Sequence, residues 1–188
     1  IDIKIYCKDV NGNITYVDAC GVCGGDNSCM LSTFSLKDLN PNSATYDTKI
    51  SPKDYLGKAV LYYFPFSETW NTCISRFGSL NDLYNEYTNN GFGDIAIIGL
   101  GKNDDTPIND MVDGRDLPYL KDDAISNVWD NWGPEDRDLF FIRQDGWYHT
   151  KINLNSDFDE QAIKTLIEEC LVCEDDSSCG LSARFYGC

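Results

Sequence analysis

Residues 58–100 read KAVLYYFPFSETWNTCISRFGSLNDLYNEYTNNGFGDIAIIGL, and they place two buried-strand signals on either side of a helix signal. Lys58 to Phe64 is a continuous apolar run rich in β-formers, the pattern of a strand covered on both faces. Cys73, Phe77, Leu80, Leu83, Tyr84 and Tyr87 then recur at helical spacing, and Asn90-Gly91 supplies a helix stop. Asp94 to Leu100 is a second buried run. Strand, helix and strand at this spacing make a βαβ unit and imply a parallel pair.

The pattern continues on both sides. Asp138 to Arg143 and Trp147 to Ile152 flank Gln144-Asp145-Gly146, a turn sequence that predicts an antiparallel hairpin. Phe158 to Glu169 predicts the last helix, with Ala162, Ile163, Leu166 and Ile167 inward and Ser156 or Asp157 as N-cap. A βαβ half followed by a ββα half is the predicted α/β core. Trp129, Trp132 and Trp147 read as core and rim residues of it.

The nine cysteines of the 188-residue chain fall into two matched sets and one single. Cys20, Cys23 and Cys29 have the spacing C-x2-C-x5-C, and Cys170, Cys173 and Cys179 repeat it. Cys7 and Cys188 bring each set to four, leaving Cys73 alone. Each set of four closes two disulfides, with three pairings open in each. The expected organisation is a cysteine-rich module over 1–33, a core domain over 34–169 and a second module over 170–188, all read from the cysteine spacing. The modules hold too few large apolar residues for cores of their own, so disulfides must supply their order. Zinc is the competing reading, but a four-cysteine site usually uses two C-x-x-C knuckles and each set here has one.

This cysteine content points to a secreted or cell-surface protein, because cytosolic thiols are kept reduced. The sequon Asn13-Ile14-Thr15 agrees as a glycosylation candidate. A start at Ile1 without a signal peptide suggests a processed chain or a piece of a longer one. No apolar run reaches the ~18 residues of a membrane span. A net charge of −16 repels phosphate backbones and anionic lipids, which disfavours nucleic-acid and membrane partners. The acids are scattered along the chain and read as a solvated surface. Asp9-Val10-Asn11-Gly12-Asn13 alternates oxygen-bearing side chains like the start of a calcium loop, yet it lacks the closing glutamate. A hairpin turn is the favoured reading and calcium the alternative.

Two resemblances add to this. DACGVCGGDNSC (residues 18–29) resembles the CGVCGGD-type cysteine spacers of large extracellular multidomain proteins. FSLKDLN and SPKDYLGKAVLYYF resemble the opening of redoxin domains of the thioredoxin superfamily. WNTCISRFGSLNDLYNEY, DLPYLKDD, DRDLFFIRQDGWYHTKI and DEQAIKTLIEEC together are similar to the N-terminal thioredoxin-like domain of selenoprotein P, over residues 34–173. The resemblance implies a thioredoxin-like fold with its active-site tetrad at Trp70-Asn71-Thr72-Cys73. It also implies a cis-proline at Pro118, lining a substrate groove that faces the tetrad.

Thioredoxins attack with a thiolate at the N-terminus of the first long helix, and a second cysteine resolves the mixed disulfide. The attacking position here is Trp70, whose indole cannot do this chemistry. Cys73 occupies the resolving position, about one turn into the helix, where burial is expected. Peroxiredoxins carry P-x3-T-x2-C; Pro65 and Thr69 fit, but Cys73 comes one residue late, about 100° around a helix. The sole histidine, His149, lies in a predicted strand and reads as structural.

The reading that follows is a secreted, catalytically inactive thioredoxin-fold domain without cofactor or metal. It acts as a structural or protein-interaction unit, its partners being other extracellular chains or copies of itself, with Phe185 and Tyr186 as contact candidates. The alternative is a monothiol oxidoreductase or thiol peroxidase using Cys73, with Arg76 as thiolate stabiliser. A carrier of metal or selenium is a third class, for which the chain lacks the His-rich and selenocysteine-rich tail.

Overall fold

In a computed structural model, residues 6–8, 13–16 and 32–171 are described. They fall into two units, Ile1–Leu31 and Ser32–Cys188. In the first, β1 (Tyr6–Lys8) and β2 (Ile14–Tyr16) pair antiparallel with Cys7 opposite Thr15. Cys7 is disulfide-bonded. Asn13 is exposed just before β2. Residues 9–12 of the calcium candidate, and Cys20, Cys23, Cys29, Cys173, Cys179, Cys188, Phe185 and Tyr186, lie outside the described residues.

The second unit is a mixed α/β domain. After a short pair, β3 (Leu36–Lys37) and β4 (Lys49–Ile50), come β5 (Ala59–Phe64), α1 (Asn71–Asn89) and β6 (Ile95–Gly101). A short helix α2 (Asn109–Val112), β7 (Tyr119–Lys121) and α3 (Val128–Trp132) lead to the hairpin of β8 (Asp138–Ile142) and β9 (Tyr148–Asn153), and α4 (Glu160–Leu171) follows. The five-stranded sheet has the order β7-β6-β5-β8-β9. β5 lies parallel to β6 (Leu61 opposite Ile97) and antiparallel to β8 (Leu61 opposite Phe141). The βαβ and ββα halves therefore meet along β5, as the sequence pattern predicts.

Strand alternation sorts β5 between two layers. Ala59, Leu61 and Tyr63 join the core that holds Cys73, Phe77 and Leu80 of α1 and Ile163, Ile167 and Cys170 of α4. Tyr62 and Phe64 point the other way into a layer of rings: Phe34 and Trp132 lie 5.7 and 5.2 Å from Tyr62, and Trp129 and Phe140 lie 5.3 and 5.1 Å from Phe64. Each such ring buries enough area to contribute about 1.5–3 kcal/mol. Trp132 also anchors the start of the domain, its indole N–H donating to the Ser32 carbonyl at 2.9 Å.

Local chemistry sets the element ends. α1 stops where Gly91 adopts φ +85°, and the Gly91 and Phe92 amides donate to the Thr88 and Tyr87 carbonyls at 3.1 and 3.0 Å. Phe92 packs on Tyr87 with ring centres 5.8 Å apart, completing a Schellman cap. At the β8–β9 turn Gly146 has φ +88°, so the Asp145-Gly146 signal is used as predicted.

Two corrections arise here. The α4 helix continues through Leu171, and Cys170 is a free thiol, 1% exposed, not a disulfide partner of the C-terminal cysteines. The cause is helical phase: Ile163, Ile167 and Cys170 share the buried face. In turn, the described residues contain no cis peptide bond, so Pro118 is trans. The Asn40 amide donates to the Leu117 carbonyl at 2.7 Å, and the Tyr119 amide donates to buried Asp38 at 3.0 Å. These bonds hold Pro118 at the start of edge strand β7, where its carbonyl accepts from the Gly99 amide.

Candidate functional site: the N-terminus of α1

The chain leaves β5 at Phe64 and enters α1 at Asn71 through Pro65 to Trp70. Trp70 is the N-cap residue but makes no side-chain cap. Its indole is 54% exposed and stands edge-on to Phe66, ring centres 5.0 Å apart. Lys102 Nζ sits 5.0 Å from the Phe66 ring and 4.8 Å from that of Trp129, while ion-pairing with Asp136 at 2.9 Å. A cation held over two rings and tied to a carboxylate stiffens this surface.

Beneath it lies Cys73, fully buried. Arg137 Nη1 donates to its sulfur at 3.7 Å, and Arg137 Nε and Nη2 donate to Asn155 Oδ1 at 3.0 and 2.6 Å. Arg137 precedes β8 with φ +68°, its amide donating to the Phe64 carbonyl at 2.7 Å. That backbone bond ties it to the loop that starts the site. Arg137 therefore takes the place facing the tetrad that the sequence assigns to Pro118. It also replaces Arg76, whose Nε donates instead to the Leu154 carbonyl at 3.0 Å. Arg137 lies 64 residues from Cys73 in sequence, so only the tertiary fold brings them together.

Tyr63 approaches the same thiol from β5. Its ring stacks on Phe77, one turn beyond Cys73 on α1, with centres 6.2 Å apart. Its hydroxyl is buried and makes no hydrogen bond of good geometry, the weakly accepting Cys73 sulfur being its one partner. Burial pushes that hydroxyl far above its ordinary range, and the neighbouring Cys73 sulfur adds to the effect.

The loop is braced by a carboxylate that sequence reasoning missed. Glu68 is 1% exposed; its Oε1 accepts from Tyr119 Oη at 3.1 Å and from Lys121 Nζ at 2.9 Å. Burial and this carboxylate raise the Tyr119 hydroxyl well above its ordinary range. A Cβ on Gly101 would stand 2.0 Å from Glu68 Oε1, so a side chain at that strand position would displace the buried carboxylate. Thr69 is exposed, its hydroxyl beside that of Ser67 at 3.2 Å, and does not serve the thiol as a peroxidase threonine would.

Beside Arg137 opens a polar groove of about 450 Å³, lined by Pro134, Glu135, Asp136, Arg137, Asn153 and Asn155. Elsewhere, His149 Nε2 pairs with Glu169 at 2.8 Å on the surface, and Cys170, buried in the core, has its thiol pushed up to about 12, chiefly by burial. Among the described residues no group of His, Cys, Asp and Glu is arranged to hold a metal ion, and no helix is long and apolar enough to cross a membrane.

No protein-family model and no curated protein matches the chain. Solved structures do. A candidate thioredoxin from Neisseria meningitidis is 18% identical with a TM-score of 0.60, covering 86% of this chain and all (100%) of that one. A thioredoxin-family thiol:disulfide interchange protein from Chlorobium tepidum is 12% identical with a TM-score of 0.59, covering 79% and 100%. A secreted disulfide oxidoreductase from Mycobacterium tuberculosis is 15% identical with a TM-score of 0.54, covering 72% and 95%. At such identities the likeness concerns architecture, and on that architecture the domain has the thioredoxin-like fold.

Proposed function

We propose that this domain is an extracellular interaction unit in which the thioredoxin active-site face has been turned from disulfide exchange to contact. The observation that carries this is Trp70: an indole, 54% exposed, occupies the attacking position, while the remaining thiol is fully buried. A ring at the N-cap cannot form a mixed disulfide, but with Phe66 and Lys102 it offers the aromatic and cationic surface that anchors protein contacts. The disulfide at Cys7 and the secreted Mycobacterium structure of the same fold support an oxidising location. The finer likeness to selenoprotein P rests on the sequence motifs. Partners under this reading are other extracellular chains or copies of this one.

A second reading has its own observation. Arg137 Nη1 on the Cys73 sulfur at 3.7 Å suits a monothiol oxidoreductase or peroxidase. One pair of assays separates the two. Insulin reduction with dithiothreitol and peroxide consumption with a thiol reductant should both stay at background for the natural chain, and Trp70→Ala should weaken capture of extracellular partners while leaving the fold intact. Sustained turnover that disappears in Cys73→Ser would replace the contact reading with the thiol one.

A further inference from the structure

We propose that Cys73 is a site of single, reversible oxidation by hydroperoxides, whose sulfenic acid is held by the Tyr63 hydroxyl and the Arg137 guanidinium. The inference goes beyond the contact function and requires no turnover.

The first observation is the poorly satisfied hydroxyl. Tyr63 is 0% exposed and its Oη makes no hydrogen bond of good geometry, its one partner being the weakly accepting Cys73 sulfur, although buried hydroxyls nearly always have a full partner. Stacking on Phe77 fixes the Tyr63 ring, and the Cys73 sulfur is the neighbour its hydroxyl meets. A thiol offers it only a weak acceptor. An oxygen atom added to Sγ offers a strong one.

The second observation is Arg137. One nitrogen donates to the sulfur and two bond Asn155, and both residues line the polar groove. The guanidinium thus touches the thiol on one side and a space on the other that admits a small polar oxidant. Its fixed fork can donate to an S–O oxygen without leaving Asn155.

The third is Trp70. A sulfenic acid normally condenses with a nearby thiol. The adjoining active-site position holds an indole, so the oxidised sulfur has no resolving partner there.

The step balances as follows. Sγ of Cys73 attacks one oxygen of the hydroperoxide, the O–O bond breaks and an S–O bond forms. The departing oxygen leaves as water, or as an alcohol from an organic peroxide, taking up the thiol proton. Sulfur is oxidised by two electrons and the peroxide is reduced by two. A thiol reductant returns the sulfenic acid to the thiol in two steps: one reductant thiol forms a mixed disulfide with Cys73 and releases water, and a second displaces the Cys73 thiol and leaves as the oxidised disulfide of the reductant.

The test treats the native full chain with one to ten equivalents of hydrogen peroxide, traps sulfenic acid with a cyclic 1,3-diketone, and maps the adduct by mass spectrometry. One adduct at Cys73 is expected, absent in Cys73→Ser. In Tyr63→Phe the untrapped sulfenic acid should be lost to higher oxides about tenfold faster, as expected when a hydrogen bond to a polar oxidised group is removed. Arg137→Gln should slow its formation by a similar factor.

Thermal melting keeps the idea exposed to failure. The reduced Tyr63→Phe chain should melt at or above the parent temperature, because it loses a buried hydroxyl whose one partner is a weakly accepting sulfur. Peroxide should raise the melting temperature of the parent and not that of the variant. No adduct at Cys73 in the native chain, an equally long-lived sulfenic acid in Tyr63→Phe, or a reduced variant that melts well below the parent would each overturn the proposal. None of these outcomes depends on insulin reduction or partner capture, so failure here and failure of the contact reading are distinguishable.

Discussion

Cys73 on α1 and Cys170 on α4 belong to the same hydrophobic cluster, both free and both buried, yet their surroundings differ in kind. Around Cys73 stand a guanidinium at 3.7 Å and a tyrosine hydroxyl whose one partner is the sulfur itself. Cys170 shares the apolar face of its helix with Ile163 and Ile167. Its thiol is pushed up to about 12, chiefly by burial, with Arg143, Glu169 and Asp145 acting on it only through their charge and no donor bonded to the sulfur among the described residues. Burial alone makes a cysteine a small hydrophobe. The same burial with polar groups left facing the sulfur makes a place where chemistry can be accommodated. The comparison teaches that the atoms left unsatisfied around a thiol say more about its use than its exposure does.

The largest way to break the comparison is to give Cys73 the neighbour it lacks. Trp70→Cys recreates C-x-x-C at an exposed N-cap where the helix dipole favours a thiolate. Insulin reduction should rise from background to at least about tenfold above the parent. If the restored pair stays inert, Arg137 and the loop, and not only the missing nucleophile, have been remodelled away from exchange.

Alkaline pH tests the other member. The Cys170 thiol titrates near 12 in the folded chain against 9.0 when unperturbed. Between these values the unfolded chain has lost its proton and the folded chain has kept it. The contribution of this group to stability is therefore full below about pH 9 and declines as pH rises toward 12, with a limiting slope of about 1.4 kcal/mol per pH unit. Urea denaturation between pH 8.5 and 10 should show the decline, and Cys170→Ala should flatten it. Tyr62 and Tyr63, also raised by burial, steepen the fall above pH 10 in both chains. An unchanged slope in Cys170→Ala would mean that the thiol is solvated.

The smallest test is the most direct. Serine at 170 places a hydroxyl on an apolar face and should destabilise by about 1–3 kcal/mol. Serine at 73 meets Arg137 and Tyr63, and should cost about 1 kcal/mol or less, because the hydroxyl gains donors of net worth ~1 kcal/mol. Equal costs, measured by urea denaturation, would remove the distinction between the sites.

What could be read in advance follows the range of the interactions. β5, α1, β6 and the β8–β9 hairpin are written in local periodicity and turn chemistry, and the structure uses them as such. Cys170 was also legible as Ile163, Ile167 and Cys170 at helical spacing, but the repeat C-x2-C-x5-C suggested a disulfide module and drew the residue out of its helix. Arg137, Glu68, Asp38 and Asn40 left no local sign. The bonds that place them in the fold, Arg137 to Cys73, Glu68 to Tyr119, Asp38 to Tyr119 and Asn40 to Leu117, span 51 to 81 residues. Arg137 also bonds Asn155, and both Asp38 and Asn40 make short bonds within their own turn. A charged side chain in a polar loop looks the same whether it ends in water or on a buried sulfur. The Pro118 expectation failed for a related reason: a proline in a plausible motif carries no mark of which strand end it will occupy.

Of the four tryptophans, Trp132 in the ring layer and Trp70 at the head of α1 are the extremes of exposure and can serve as two optical reporters, with Trp129 and Trp147 between them. Trp132 is 8% exposed and lies among Phe34, Tyr62, Phe64 and Phe140, whereas Trp70 is 54% exposed at the head of α1. Rings held edge-to-face at fixed angles give strong near-ultraviolet circular dichroism, and a shielded indole emits at shorter wavelength than a hydrated one. Iodide in solution will quench the red edge of the emission and spare the blue edge. Occupancy of the α1 face and integrity of the sheet can therefore be followed in one cuvette, without a label.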